Sequence, residues 1–116
     1  MPGDDRVRTT LLARRTVLLA ELAAAESALV EIRAMRADRT DDDEHDPDGA
    51  PLSAEWSRLD GLQRAANSRV ADIDVAIDRL GSGQYGICAR CGRPISPGRL
   101  EVMPAASRCV DCADKR

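Results

Sequence analysis

Leu52, Trp56, Leu59, Gln63, Ala66, Val70, Ile73, Ile77 and Leu80 alternate spacings of four and three residues without a break. That mean period of 3.5 keeps one narrow stripe of an α-helix turned toward a partner, which is the seam of a coiled coil. A β-strand turns the same face every second residue and does not produce it. A stripe of this length requires a second stripe to cover it, and the preceding segment supplies one. From about Asp4 to Arg39 no Gly or Pro interrupts a run rich in Ala, Leu, Arg and Glu, all compatible with a helix. Leu11, Leu18, Ala25 and Ile32 recur every seven residues, and Leu22 and Leu29 fill the second seam position. Arg8 and Arg15 hold that second position earlier, so the seam is ragged near the N-terminus.

Two heptad helices joined by a short connection most economically form an antiparallel hairpin, each seam covering the other. The composition agrees. Phe is absent, and Trp56 and Tyr85 are the only aromatic residues. A thick globular core normally draws on more ring volume, whereas Ala and Leu suit narrow helix seams. The second helix is expected to be about 43 Å long, with Ser53 as its N-cap, Glu55 in its first turn and Gly81 as its C′ residue. Gly61 inside it costs about 1 kcal/mol relative to Ala and marks a point of local softness. Leu12, Val17 and Leu19 lie off the first seam. They leave open a pairing of the first helix with a second chain, although the intramolecular hairpin and a monomer are the favoured reading.

After Leu80 the texture changes. GSGQYG holds three glycines in six residues and reads as a flexible joint. Cys88 and Cys91 then form one C-x2-C and Cys109 and Cys112 another, seventeen residues apart. That spacing fits a four-cysteine zinc site, because each tight turn points two sulfurs at one ion about 2.3 Å away. Gly92 after the second cysteine suits the positive φ of such a turn. Four thiolates close the tetrahedron and leave no position for a substrate, so the expected cofactor is one structural Zn²⁺. A disulfide pair, a redox C-x2-C and an iron–sulfur cluster are the competing readings. Zinc also addresses stability. About thirty residues whose apolar content is Tyr85, Ile87, Ile95, Leu100, Val102 and Met103 need metal to hold a fold.

The expected fold class is therefore mainly α: an antiparallel helical hairpin over residues 1–82 and a small four-cysteine zinc finger over residues 83–116. Between the helices, at about residues 40–52, lies the tip loop. Residues 38 to 48 carry seven acids against one base, Arg39. Like charges at this density repel and stay solvated, so the stretch is either an inert loop or a surface presented to a partner. No run approaches the eighteen or so apolar residues of a membrane span, and MPGDDRVRTT lacks the apolar core of a secretory leader. Cytoplasmic placement is expected, where cysteines are more often ligands than disulfides. The formal net charge of −3 argues against nonspecific nucleic-acid binding. No nucleophile–base constellation is present and the single histidine, His45, falls in the loop, so an enzyme is not expected.

The string GQYGICARCGRPISPGRLEVMPAASRCVDC resembles the zinc module of the DksA/TraR family. The likeness lies in Gly-x-Tyr-Gly-x-Cys, the Cys-Gly after the first knuckle, the Arg-Leu pair, Met-Pro-Ala and the closing C-x2-C. It covers residues 83 to 112, and the hairpin before it agrees in order and kind. The resemblance implies a bacterial regulator of transcription initiation that binds RNA polymerase rather than DNA. In that family the coiled-coil hairpin enters the secondary channel and an acidic tip approaches the active site. Tip function carries onto Asp46, Asp48 and Ala50, with Asp43 and Glu44 as supports. Against the family pattern Asp-x-x-Asp-x-Ala, Asp48-Gly49-Ala50 fits the second half while His45 stands where the first Asp falls. EHDPDG resembles the variant of actinobacterial-type relatives. Four residues follow Cys112, where longer members continue into another helix, and an alarmone response that depends on that helix is left open.

Two other readings compete. Glu44 to Glu55 places acids at positions 1, 3, 5 and 12 and Gly at position 6 of an EF-hand calcium loop, although Pro51 at position 8 and the lack of a second loop oppose it. A zinc-ribbon nucleic-acid-binding or protein-interaction module without polymerase activity is the other, and nucleic-acid binding calls for a basic or aromatic face. The module's six bases exceed its three acids by only three, which four thiolates on Zn²⁺ reduce to about +1.

Overall fold

The computed structural model describes residues 2–39 and 49–114. Its elements are α1 (Pro2–Arg39), α2 (Gly49–Ser82), α3 (Pro97–Val102) and α4 (Val110–Ala113). Among the described residues the only β-pairing is an isolated antiparallel bridge between Ile87 and Pro94. The chain divides into two compact units. One comprises Met1–Val17 with Arg69–Arg116, the other Leu18–Ser68. Each therefore contains a stretch of α1 and a stretch of α2.

Within the Leu18–Ser68 unit, Arg36 reaches Ser53 and Arg33 lies over Trp56. Three residues back along α1 correspond to three residues forward along α2, so the helices are antiparallel. In the other unit α1 and α2 also pair. Arg15 meets Asp74 there.

The two-column seam separates into an inner column and a rim. On α2, Leu59, Ala66, Ile73 and Leu80 are buried, whereas Trp56, Gln63, Val70 and Ile77 are half-buried. Two helices cannot surround a seam as a larger bundle does, so one column stays at the edge. On α1 the buried positions are Leu11, Leu18, Ala25, Leu29 and Ile32, Leu11 completely so, and Leu22 is half-buried. The ragged start of this seam has a structural answer. The Arg15 Nε donates to Asp74 Oδ1 of α2 at 2.8 Å, so its stem covers the seam and its head pairs across it. Ala76, which the four–three pattern omits, is also buried. It stands three residues after Ile73 and four before Leu80, where a small side chain lets backbones approach. Leu12, Val17 and Leu19 are exposed, consistent with their off-seam positions.

Both expected boundaries of α2 require correction. Ser53 is not its N-cap, because the helix begins at Gly49. The Ser53 hydroxyl instead accepts from Arg36 Nη2. Gly81 is not the C′ residue but part of the last turn, and Gly83 takes the C′ position with φ of 75°. The Gly83 N–H bonds to Leu80 C=O and the Gln84 N–H to Arg79 C=O, the paired bonds of a Schellman ending. The sequence offers two glycines two residues apart, and only the backbone bonds decide between them. Helix α2 continues through Gly61 without interruption.

Candidate metal centre and acidic tip

The GSGQYG joint is more fixed than its glycines suggest. The N–H groups of Gly83, Gln84 and Tyr85 all bond back to the last turn of α2, two of them to the carbonyl of Arg79. The Arg79 guanidinium returns across the same gap and donates to the carbonyls of Gln84 and Ile87. The Tyr85 hydroxyl donates to Pro104 C=O at 2.7 Å, and burial raises its pKa. Arg79 thus ties the end of a helix to the residue before Cys88. The N–H groups of Gly83, Gln84 and Tyr85 are satisfied locally, which argues against a flexible joint at these residues.

Two knuckles follow. In the first, the Cys88 N–H bonds to Arg93 C=O at 2.8 Å and the Gly92 N–H to Cys88 C=O at 3.0 Å. Gly92 has φ of 77°, the left-handed turn expected of it. The Ile87–Pro94 bridge closes the ribbon, with the Ile95 N–H on Gly86 C=O. In the second, Cys109 precedes α4 in extended conformation and Cys112 lies inside it, with the Cys112 N–H on Cys109 C=O. An Ala89 N–H to Ser107 C=O bond of 2.7 Å joins the two knuckles, and Arg93 stands 3.7 Å from Asp111 across them. The connection is stiffened by α3, whose Ser96 hydroxyl caps the Arg99 N–H and whose Pro97 sits at the first position. Ser-Pro ahead of a short helix is a readable start signal that the cysteine spacing overshadows. The Arg99 Nε then donates to Arg108 C=O beside Cys109.

All four Sγ atoms lie within 4.8 Å of one another, and those of Cys91 and Cys109 are 3.8 Å apart. Four sulfurs about 2.3 Å from a central zinc ion stand about 3.8 Å apart along a tetrahedron edge. A disulfide is excluded, since the four cysteines are free. The electrostatics also suit a cation. Backbone N–H groups of Cys91 and Cys109 lower the Cys88 pKa to about 5. Hydrogen bonds from the Arg93 backbone and side chain lower that of Cys91. Burial pushes Cys112 up to about 11, so its thiolate requires a compensating positive charge, which zinc supplies. Cys88, Ile95 and Cys112 form the buried centre of the module, with Leu100 and Cys109 against it. Of the module's apolar residues, Val102 and Met103 are exposed, Val102 by 73%. Val102 follows Leu100 by two residues in α3, which turns it to the opposite side of the helix.

Of the expected tip residues, Asp43, Glu44, Asp46 and Asp48 lie outside the described residues, and Ala50 stands in the first turn of α2. The calcium-loop reading fails. Positions 6 to 12 of that template, Gly49 to Glu55, are helical, and the position-12 Glu55 binds Arg58 of its own helix through both carboxylate oxygens. That bond lowers the Glu55 pKa.

The geometry finds its counterpart among known proteins. Residues 83–116 match the prokaryotic dksA/traR C4-type zinc finger. An uncharacterized protein of Aquifex aeolicus is 37% identical over 57 residues, 49% of this chain and 39% of its own length. An RNA polymerase-binding transcription factor DksA of Caulobacter vibrioides is 37% identical over 46 residues, 40% of this chain and 32% of that protein. The chain thus aligns with well under half the length of these curated relatives. The structure of transcription factor DksA2 from Pseudomonas aeruginosa superposes with a TM-score of 0.78 over 99% of this chain and 83% of that one, at 24% identity. The fold of a long helical hairpin with a C-terminal cysteine module is shared with that structure, and residues 83–116, whose four cysteines fit one structural zinc ion, are a zinc finger of the dksA/traR C4 type.

Proposed function

We propose that this protein is a non-catalytic regulator of transcription that binds bacterial RNA polymerase, with its zinc module as the base and the acidic segment between α1 and α2 as the acting end. The observation that carries this reading is the dksA/traR-type zinc finger in one chain with six carboxylates between residues 41 and 48, in the sequence that joins α1 to α2. Two relatives, 37% identical over 46 residues and 38% identical over 40, are named RNA polymerase-binding transcription factors. On this reading the hairpin enters the secondary channel, and Asp46, Asp48 and Ala50, supported by Asp43 and Glu44, act near the magnesium-bearing centre. A dense set of carboxylates acts there through Arg and Lys of the channel or on the metal's surroundings. The polymerase places the protein in the cytoplasm. No helix among the described residues is long and apolar enough to cross a membrane.

The test is the double substitution Asp46→Asn, Asp48→Asn in the zinc-loaded chain, assayed with purified polymerase. Binding should persist and the effect on initiation should fall about tenfold or more, as expected when charge-assisted contacts are removed. An unchanged effect on initiation rejects the tip assignment.

A further inference from the structure

Trp56 is the single tryptophan of the chain, and two arginines of the facing helix lie on it. The guanidinium carbon of Arg33 is 5.1 Å from the ring centroid and that of Arg36 is 5.8 Å away. Arg36 also donates from Nη2 to Ser53 Oγ at 2.7 Å. The ring also packs against the buried cluster of Leu29, Ile32 and Leu59. The ring is therefore seated in the seam and offers its electron-rich face to two cations, which offsets their mutual repulsion.

The placement gives this cluster its meaning. α1 ends three residues after Arg36, and α2 begins four residues before Ser53. Between them run residues 40–48, with six carboxylates whose repulsion favours separation of the two helix ends. Apolar burial is non-directional, and at this end of the seam the rim column is only half-buried. A ring held by two guanidiniums, one of them hydrogen-bonded to the opposite helix, adds the direction that apolar contact lacks. Arg33 and Arg36 also place positive charge where the dipole of α1 is negative.

We propose that Trp56, Arg33 and Arg36 form a clamp that fixes the spacing and direction from which the acidic segment leaves the two helices, which makes them positioning residues for the tip. The positioning role rests on the tip reading above; the clamp itself does not.

The experiment uses the zinc-loaded full chain with three variants, Trp56→Leu, Trp56→Phe and the double Arg33→Gln, Arg36→Gln. Amide hydrogen exchange of residues 33–39 and 52–58 is measured first, then affinity for core polymerase and the effect on initiation. The leucine and the double glutamine variants should raise exchange in both stretches about tenfold, the scale of a lost cation–π contact on local opening. Zinc stoichiometry should stay unchanged. Polymerase affinity should hold while the effect on initiation falls several-fold, and Trp56→Phe, which keeps an aromatic face, should rescue both exchange and effect. Unchanged exchange in the double glutamine variant, whose apolar seam is intact, overturns the clamp whatever polymerase does. Raised exchange with an undiminished effect on initiation overturns the positioning role. If the unaltered chain does not bind polymerase, the tip reading fails and exchange alone decides the clamp.

Discussion

The unit from Leu18 to Ser68 and the cysteine module after residue 83 are held by different physics. In the first, Leu29, Ile32 and Leu59 bury apolar surface across two helices, and much of the polar decoration pairs within one helix, as Arg58 with Glu55 and Arg64 with Asp60. Exposed pairs of this kind contribute little, so the unit stands on the seam and the tryptophan cluster. The module buries Cys88, Ile95 and Cys112 and little else. Its order comes from four convergent sulfurs and from backbone bonds that run between knuckles. Loss of one side chain in the helical seam removes a fraction of the burial, whereas loss of one sulfur removes the centre. The same chain therefore contains a graded structure and an all-or-none one.

That contrast is broken most severely by removing a ligand. Cys109→Ser, or chelation of zinc from the unaltered chain, should unfold residues 84–116 while the helical circular dichroism of the hairpin is largely retained. A Cys109→Ser protein that still holds one equivalent of zinc would refute it. The converse substitution is Leu59→Ala, in the buried cluster of the Leu18–Ser68 unit. It should lower hairpin stability by about 3 kcal/mol, read from thermal unfolding, and leave zinc stoichiometry at one. A loss of zinc on this change would show that the two structures are not separable in the way described.

A smaller pair of substitutions sharpens the boundary between them. Gly83 has a positive φ and Gly81 is helical, and a Cβ meets nothing within 4 Å at either. Gly83→Ala should therefore cost about 1–2 kcal/mol, from the left-handed backbone alone. Gly81→Ala should gain up to about 1 kcal/mol from helix propensity. The opposite signs are the prediction, and equal signs would return the helix end to Gly81.

How much of this was legible in the sequence follows from how local each signal is. The seam from Leu52 to Leu80 was readable because each position repeats the same requirement, and nine repetitions outweigh any one exception. The zinc ligands were readable because two residues between cysteines leave few geometries for their sulfurs. Ser53 was misread because a capping serine and a serine that accepts from a distant arginine look alike until Arg36 is seen opposite it. Gly81 and Gly83 differ only in which carbonyls bond beyond them. The bonds that hold Gln84 to Ile87 against Arg79 were not readable from GSGQYG, because they depend on a side chain folding back over its own helix end. Trp56 was placed on the seam by its spacing, but the two arginines on its face come from the other helix, and register alone brings them there. The Asp43, Glu44, Asp46 and Asp48 reading rests on charge density and family likeness, and Ala50 is the tip residue with a position in a described helix.

The measurement that tests the central claim most directly is binding of the zinc-loaded chain to purified bacterial core RNA polymerase, with a promoter DNA fragment alone as control. The account predicts saturable binding to the polymerase and none to the DNA. Binding to DNA alone, or to neither, would contradict it.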